Sequence, residues 1–141
     1  MFVSLQSKKD INMEQKEKDL LIRDLCCRLP YGVKVDGKDW YQEDLGNGTI
    51  VLTYSMFSDF MKIGFMPRPY LRSMSSMTEE EVKKYHECCE YDDCDFNGEE
   101  LYFETIESFD YLNSHHFDCR GLIEKGLALE APEGMYKEEQ L

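Results

Sequence analysis

Between Thr78 and Asp110 stand 13 acidic residues and 2 basic ones, Lys83 and Lys84, a local charge of −11 within a chain total of −13. The rest of the chain holds 16 acidic and 14 basic side chains and is close to neutral. Ionised carboxylates stay in water because desolvating them is costly. This 141-residue chain is therefore a near-neutral body carrying one acidic segment. That segment opens on a helix start. In Met77-Thr78-Glu79-Glu80-Glu81, Thr78 can cap, Glu81 can return the bond, and Met77 can staple onto Val82. The glutamates also suit the positive end of a helix dipole.

The length corresponds to one domain, and 42% hydrophobic residues can supply a packed core. No apolar run approaches the roughly 20 residues that span a bilayer. Met1–Asp10 has no apolar stretch of the secretory kind, which points to a cytoplasmic protein. The six cysteines are then expected as thiols, and Cys26–Cys27 and Cys88–Cys89 are adjacent in sequence, which disfavours ordinary bridges. The net charge argues against direct nucleic-acid binding, because phosphates are gripped by Lys and Arg.

Along the chain, residues 1–12 form a polar lead-in, 13–136 a single α+β domain and 137–141 a polar tail. A helix is predicted over Met13–Leu29, with Asn12 as cap, Leu21, Leu25 and Leu29 on its buried face with Cys26 beside them, and Pro30 and Gly32 as its stop. Gly32–Tyr70 reads as a small, mostly antiparallel sheet. Its turns fall at Asp36-Gly37 and Leu45–Gly48, and Trp40 and Tyr41 resume the apolar pattern between them. Its strands are Thr49–Tyr54 and Met61–Phe65, and Arg68–Leu71 forms an edge or exit because of Pro67 and Pro69. The helix capped by Thr78 buries Val82, Tyr85 and Cys89 and ends near Tyr91. An acidic loop leads to a further helix from about Thr105 to His116, with Ile106, Phe109, Leu112 and His116 on one face. Gly126–Ala131 is a short strand that joins the sheet.

Three stretches carry a resemblance: Arg23–Val35 (RDLCCRLPYGVKV), Pro69–Glu81 (PYLRSMSSMTEEE) and Asp110–Tyr136 (DYLNSHHFDCRGLIEKGLALEAPEGMY). Together they resemble small uncharacterised proteins of prophages and mobile elements in gut Bacteroidales. The resemblance implies a phage or mobile-element gene product acting in a bacterial host's cytoplasm. It carries over no functional residue.

Two kinds of site suggest themselves. Glu79, Glu80, Glu87, Glu90, Asp92, Asp93 and Asp95 fall on the predicted exposed face of a helix and on the loop after it. Carboxylates so placed could imitate a run of phosphates and block the basic channel of a nucleic-acid-binding effector. The expected partner is a protein with a basic surface. With the mobile-element context, the expected function is a non-enzymatic inhibitor of a host defence nuclease, as in small acidic anti-CRISPR proteins. The alternative is calcium. Asp93–Glu104 fits D-x-[DN]-x-[DN]-G-x5-E, with oxygens from Asp93, Asp95, Asn97, the Glu99 carbonyl and Glu104. Against it, the eighth loop position is Glu100 rather than an aliphatic residue, and there is one such loop where hands usually pair. A zinc site from the His and Cys residues lacks any CxxC knuckle. No catalytic residue is assigned, for the sequence has no nucleophile elbow, GxGxxG or P-loop. The remaining alternative is a structural protein with no ligand.

Overall fold

The computed structural model describes residues 14–36, 49–92 and 101–136. The lead-in, the tail, Asn12, Trp40, Tyr41 and the predicted turns after Asp36 and at Leu45–Gly48 lie outside these residues.

Helix α1 spans Gln15–Arg28 and begins two residues later than expected, with Glu14 as its extended N-cap residue. The Glu14 backbone N–H donates to the Glu17 carboxylate at 3.2 Å. Leu21 and Leu25 are fully buried and Leu29 nearly so, as their four-residue spacing requires. Cys26, expected beside them, is exposed instead. Its place on that face is taken by Arg28, whose buried guanidinium faces the C-terminal half of the chain. Pro30 sits in a 3-10 turn, Leu29–Tyr31, and Gly32 takes the left-handed conformation (φ 72°) that turns the backbone out of the helix.

Strands β1 (Lys34–Asp36) and β2 (Thr49–Val51) pair antiparallel, with Val35 opposite Ile50. The predicted strand Thr49–Tyr54 thus stops at Val51, and Thr53 becomes a helix cap. Its hydroxyl accepts from the Met56 N–H at 3.2 Å, opening α2 (Tyr54–Ile63). The predicted strand Met61–Phe65 does not form, because Met61–Ile63 are the last turn of α2. Met56, Phe57, Phe60 and Ile63 recur at helical spacing and pack on the core. Gly64 (φ 79°) ends the helix, and Phe65 folds back edge-on to Phe60 at 5.6 Å between centroids.

Strand β3 (Tyr70–Leu71) pairs in parallel with β6 (Leu129–Glu130), so Gly126–Ala131 does deliver a strand. Pro69 bridges antiparallel to Val35, which brings β3 alongside β1. Among the described residues two of the three strand pairs are antiparallel, and the architecture is α+β, built there from two-stranded units rather than one sheet.

The predicted cap at Thr78 forms. Its hydroxyl accepts from the Glu81 N–H at 3.1 Å and its own N–H donates to the Glu81 carboxylate at 3.0 Å, opening α3 (Glu79–Cys88). The chain then enters a hairpin, β4 (Glu90–Asp92) with β5 (Leu101–Phe103). Thr105 caps α4 (Ile106–Ser114) by accepting from the Ser108 N–H at 3.0 Å. His116, expected on that helix, lies beyond it at φ 63°.

The core gathers Leu21, Leu25, Val33, Val35, Leu52, Phe60, Leu71, Leu122 and Leu127 between α1, α2, the strands and the 117–128 segment. Each such side chain contributes about 1.5–3 kcal/mol by leaving water. Asp118 organises that segment, its carboxylate accepting from the N–H groups of Leu122 and Ile123 at 2.8 and 2.9 Å. Buried Tyr136 donates its hydroxyl to the Tyr70 carbonyl at 2.7 Å and stacks on His116.

Candidate functional site

The acidic segment is built on α3, the β4–β5 hairpin and the start of α4. Two polar contacts and one stack hold these pieces together. Thr105 donates its hydroxyl to the Cys88 carbonyl at 2.6 Å, joining the end of α3 to the cap of α4. Tyr85 donates its hydroxyl to Glu104 at 2.6 Å. His86 stacks on Tyr102 of β5, centroids 3.7 Å apart and rings 5° from parallel. At the other end of α3, Arg72 bonds Glu81 at 2.8 Å while its guanidinium lies over the Phe117 ring.

The structure places Glu79, Glu80, Glu87 and Glu90 in solvent, as predicted. Asp92 is the last residue of β4, and Asp93 and Asp95 lie outside the described residues. The outer face of α3 is more mixed than the charge count implies. Lys83 and Lys84 stand four residues after Glu79 and Glu80, and Glu87 four after Lys83, so all five share one exposed face. The uncompensated carboxylates lie further on, at Glu90, Glu104, Glu107 and Asp110, all exposed and without a lysine or arginine between them in sequence.

The calcium alternative meets a different scaffold from the one it requires. Asp93, Asp95, Asn97 and Glu99 lie outside the described residues. The helix expected to run to about Tyr91 ends at Cys88, and Glu90–Asp92 instead pairs antiparallel with Leu101–Phe103, an extended segment as the sequence allowed, with Asp92 opposite Leu101. Leu101–Phe103 is strand where a calcium hand begins its exit helix, and Glu104 accepts the Tyr85 hydroxyl. Among the described residues no three His, Cys, Asp or Glu side chains come together as a metal would need.

The described cysteines are free of disulfide bonds. Cys88 is pushed up in pKa by burial and by the charges of Cys89, Glu107 and Glu87. Burial raises the Cys119 thiol as well, against the opposing pull of Arg120 and Arg28. Neither has the depressed pKa of a thiolate nucleophile. A cleft of about 570 Å³ lies between the start of α3 and the 130–136 segment, with Arg72, Glu81, Glu130, Glu133 and Tyr136 in its wall. Its one arginine is already paired with Glu81.

Sequence reasoning placed Ile106 and Phe109 on one face with Leu112. Only Leu112 is buried; Ile106 is 82% exposed and Phe109 40%. The buried positions of α4 are Ser108, Leu112 and Asn113, so Ile106 lies on the other side of the helix and Phe109 at the margin of the packed face. The buried Asp24–Arg28 pair also went unread, although its four-residue spacing was visible.

Among the described residues no helix is long and apolar enough to cross a membrane. Comparison with family models, with curated proteins and with solved structures finds no match.

Proposed function

We propose that the protein is a non-enzymatic, acidic protein-binding factor of phage or mobile-element origin. It docks on a partner with a basic surface, and a host defence nuclease blocked by phosphate mimicry is the form this takes. The observation that carries the reading is the run of exposed carboxylates from Glu87 through Glu90 to Glu104, Glu107 and Asp110, held on one braced unit of α3, hairpin and α4. Exposed charge of one sign steers a cationic partner and makes its association fall with salt. The raised thiol pKa values and the paired arginine in the cleft favour binding over catalysis.

The test is capture of a nucleic-acid-binding protein from host lysate at low and at high salt, with duplex DNA added as competitor. Capture is expected at low salt, with release by salt and by DNA. A variant with Glu79, Glu80, Glu87 and Glu90 changed to Lys should lose it. Capture indifferent to salt, DNA and charge reversal would defeat the proposal.

A further inference from the structure

Nine large apolar side chains are exposed among the described residues, and six of them form two groups, Tyr31, Met74 and Tyr91 being the others. One, with Val51, Tyr54 and Met61, belongs to β2 and α2. The other lies inside the acidic segment and repeats every three residues: Phe103-Glu104, Ile106-Glu107, Phe109-Asp110. The three apolar members are 51%, 82% and 40% exposed, and the three acids beside them are exposed too. Scattered surface apolar residues are ordinary. Three in seven residues, each followed by a carboxylate, are not, and Ile106 is the most exposed large apolar side chain described.

The backbone explains why these residues stay outside. Tyr102 and its register partner Tyr91 take one side of the hairpin, where Tyr102 stacks on His86 of α3. Phe103 and its partner Glu90 therefore take the opposite side. Thr105 then turns the chain into α4, where Ile106 and Phe109 sit three residues apart.

We infer that this Phe103–Asp110 stretch is the centre of the docking surface, and that its occupant is a basic amphipathic segment of a partner protein, apolar anchors alternating with Lys or Arg. The inference rests on the reading of an acidic binding factor and moves its centre away from the outer face of α3. Apolar side chains fully covered on binding supply most of the affinity of an interface, while rim charges supply steering and register. The charge pattern selects the occupant. A second copy would set the same carboxylates against themselves, whereas a cationic amphipathic segment answers both members of each pair.

Two fluorescent peptides of equal length and lysine content test this, one with leucine on a helical stripe and the other with serine at those positions. Anisotropy titration should show the leucine peptide binding at least about tenfold tighter. In Ile106→Ser/Phe109→Ser that preference should vanish, with the weak binding of the serine peptide retained. Tyr54→Ser/Met61→Ser, at the other apolar group, should keep the full preference. Circular dichroism establishes that both variants fold. A preference that survives Ile106→Ser/Phe109→Ser, or is lost equally in Tyr54→Ser/Met61→Ser, overturns the inference. So does a concentration-dependent dimer abolished by Ile106→Ser/Phe109→Ser, which would make the occupant a second copy. Failure of the broader reading looks different: the serine peptide would not bind the native protein at any salt concentration.

Discussion

Arg28 donates from Nη2 to the carbonyl oxygen of Phe117 at 2.6 Å, joining residues 89 positions apart. The same guanidinium is held by Asp24, through Nε at 2.8 Å and Nη2 at 3.0 Å, and Arg120 adds a third bond to Asp24 at 2.7 Å. Asp24 and Arg28 are fully buried. Removing Asp24 would leave the Arg28 charge uncompensated in the interior. Asp24→Ala is expected to cost about 3–5 kcal/mol in urea unfolding, whereas Asp24→Leu/Arg28→Met should recover much of the loss. A cost below about 1 kcal/mol for Asp24→Ala would show that water reaches the pair.

Tyr85 and Glu104 make a prediction in alkali. Burial raises the Tyr85 phenol above its ordinary value of about 10, and the bond to Glu104 and that residue's charge raise it further. The native state holds the phenolic proton more tightly than the unfolded chain. The stability this contributes is therefore complete below about pH 10 and is lost as pH climbs toward the native value. Burial raises Tyr111 as well, so ultraviolet titration of tyrosinate should show late-ionising tyrosines, one of which is absent in Tyr85→Phe. Glu104→Gln should bring it earlier. An unchanged profile in Tyr85→Phe would contradict the assignment.

Arg72 and Glu81 make the opposite prediction in acid. Burial alone would raise the Glu81 carboxyl, but hydrogen bonds from Arg72 and the Thr78 N–H and the Arg72 charge hold it below its ordinary value. A depressed native pKa means stability that is present above the ordinary carboxylate range and lost as pH falls through the native value. Arg72→Met keeps a stem over Phe117 and removes the charge. It should cost about 1–2 kcal/mol near neutral pH and much less near pH ~3, read as urea midpoints. A cost independent of pH would mean that Arg72 acts only by packing.

His116 carries both strain and contacts. It holds φ 63°, bonds the Tyr31 carbonyl through Nε2 at 2.9 Å and stacks on Tyr136 at 4.0 Å. His116→Ala loses the contacts and keeps the strained backbone, whereas His116→Gly loses them but relaxes it. Both should lower the melting temperature, the glycine variant by the equivalent of about 1 kcal/mol less. Equal losses would show that the backbone strain is negligible.

The parts of the fold legible in advance were those fixed by adjacent residues. The Thr78–Glu81 capping box needs four residues and no tertiary partner, and it formed as read. Helix α2 was missed because Thr53 suits both a strand and a cap, and because Met61, Ile63 and Phe65 alternate as a strand would. The longer spacing from Met56 through Phe60 to Ile63, closed by Gly64, favours the helix. Ile106, Phe109 and Leu112 show a further limit. The face that packs is centred on Ser108 and Leu112, and a reading of apolar residues alone skips the serine, so of the three only Leu112 is buried. The acidic segment was visible as composition. Its uneven screening depends on Lys83 and Lys84 recurring at the helical interval, which a charge total hides.

The pairing of Tyr70 with Leu129 sets an order on the making of the molecule. Leu129 lies 59 positions later in the chain, so a nascent polypeptide displays the β3 edge well before its partner leaves the ribosome. Closing so long a loop is slow, and a bare strand edge invites mispairing in the interval. The prolines at 67 and 69, which cannot donate to a neighbouring strand, stand beside that waiting edge and limit what can join it prematurely.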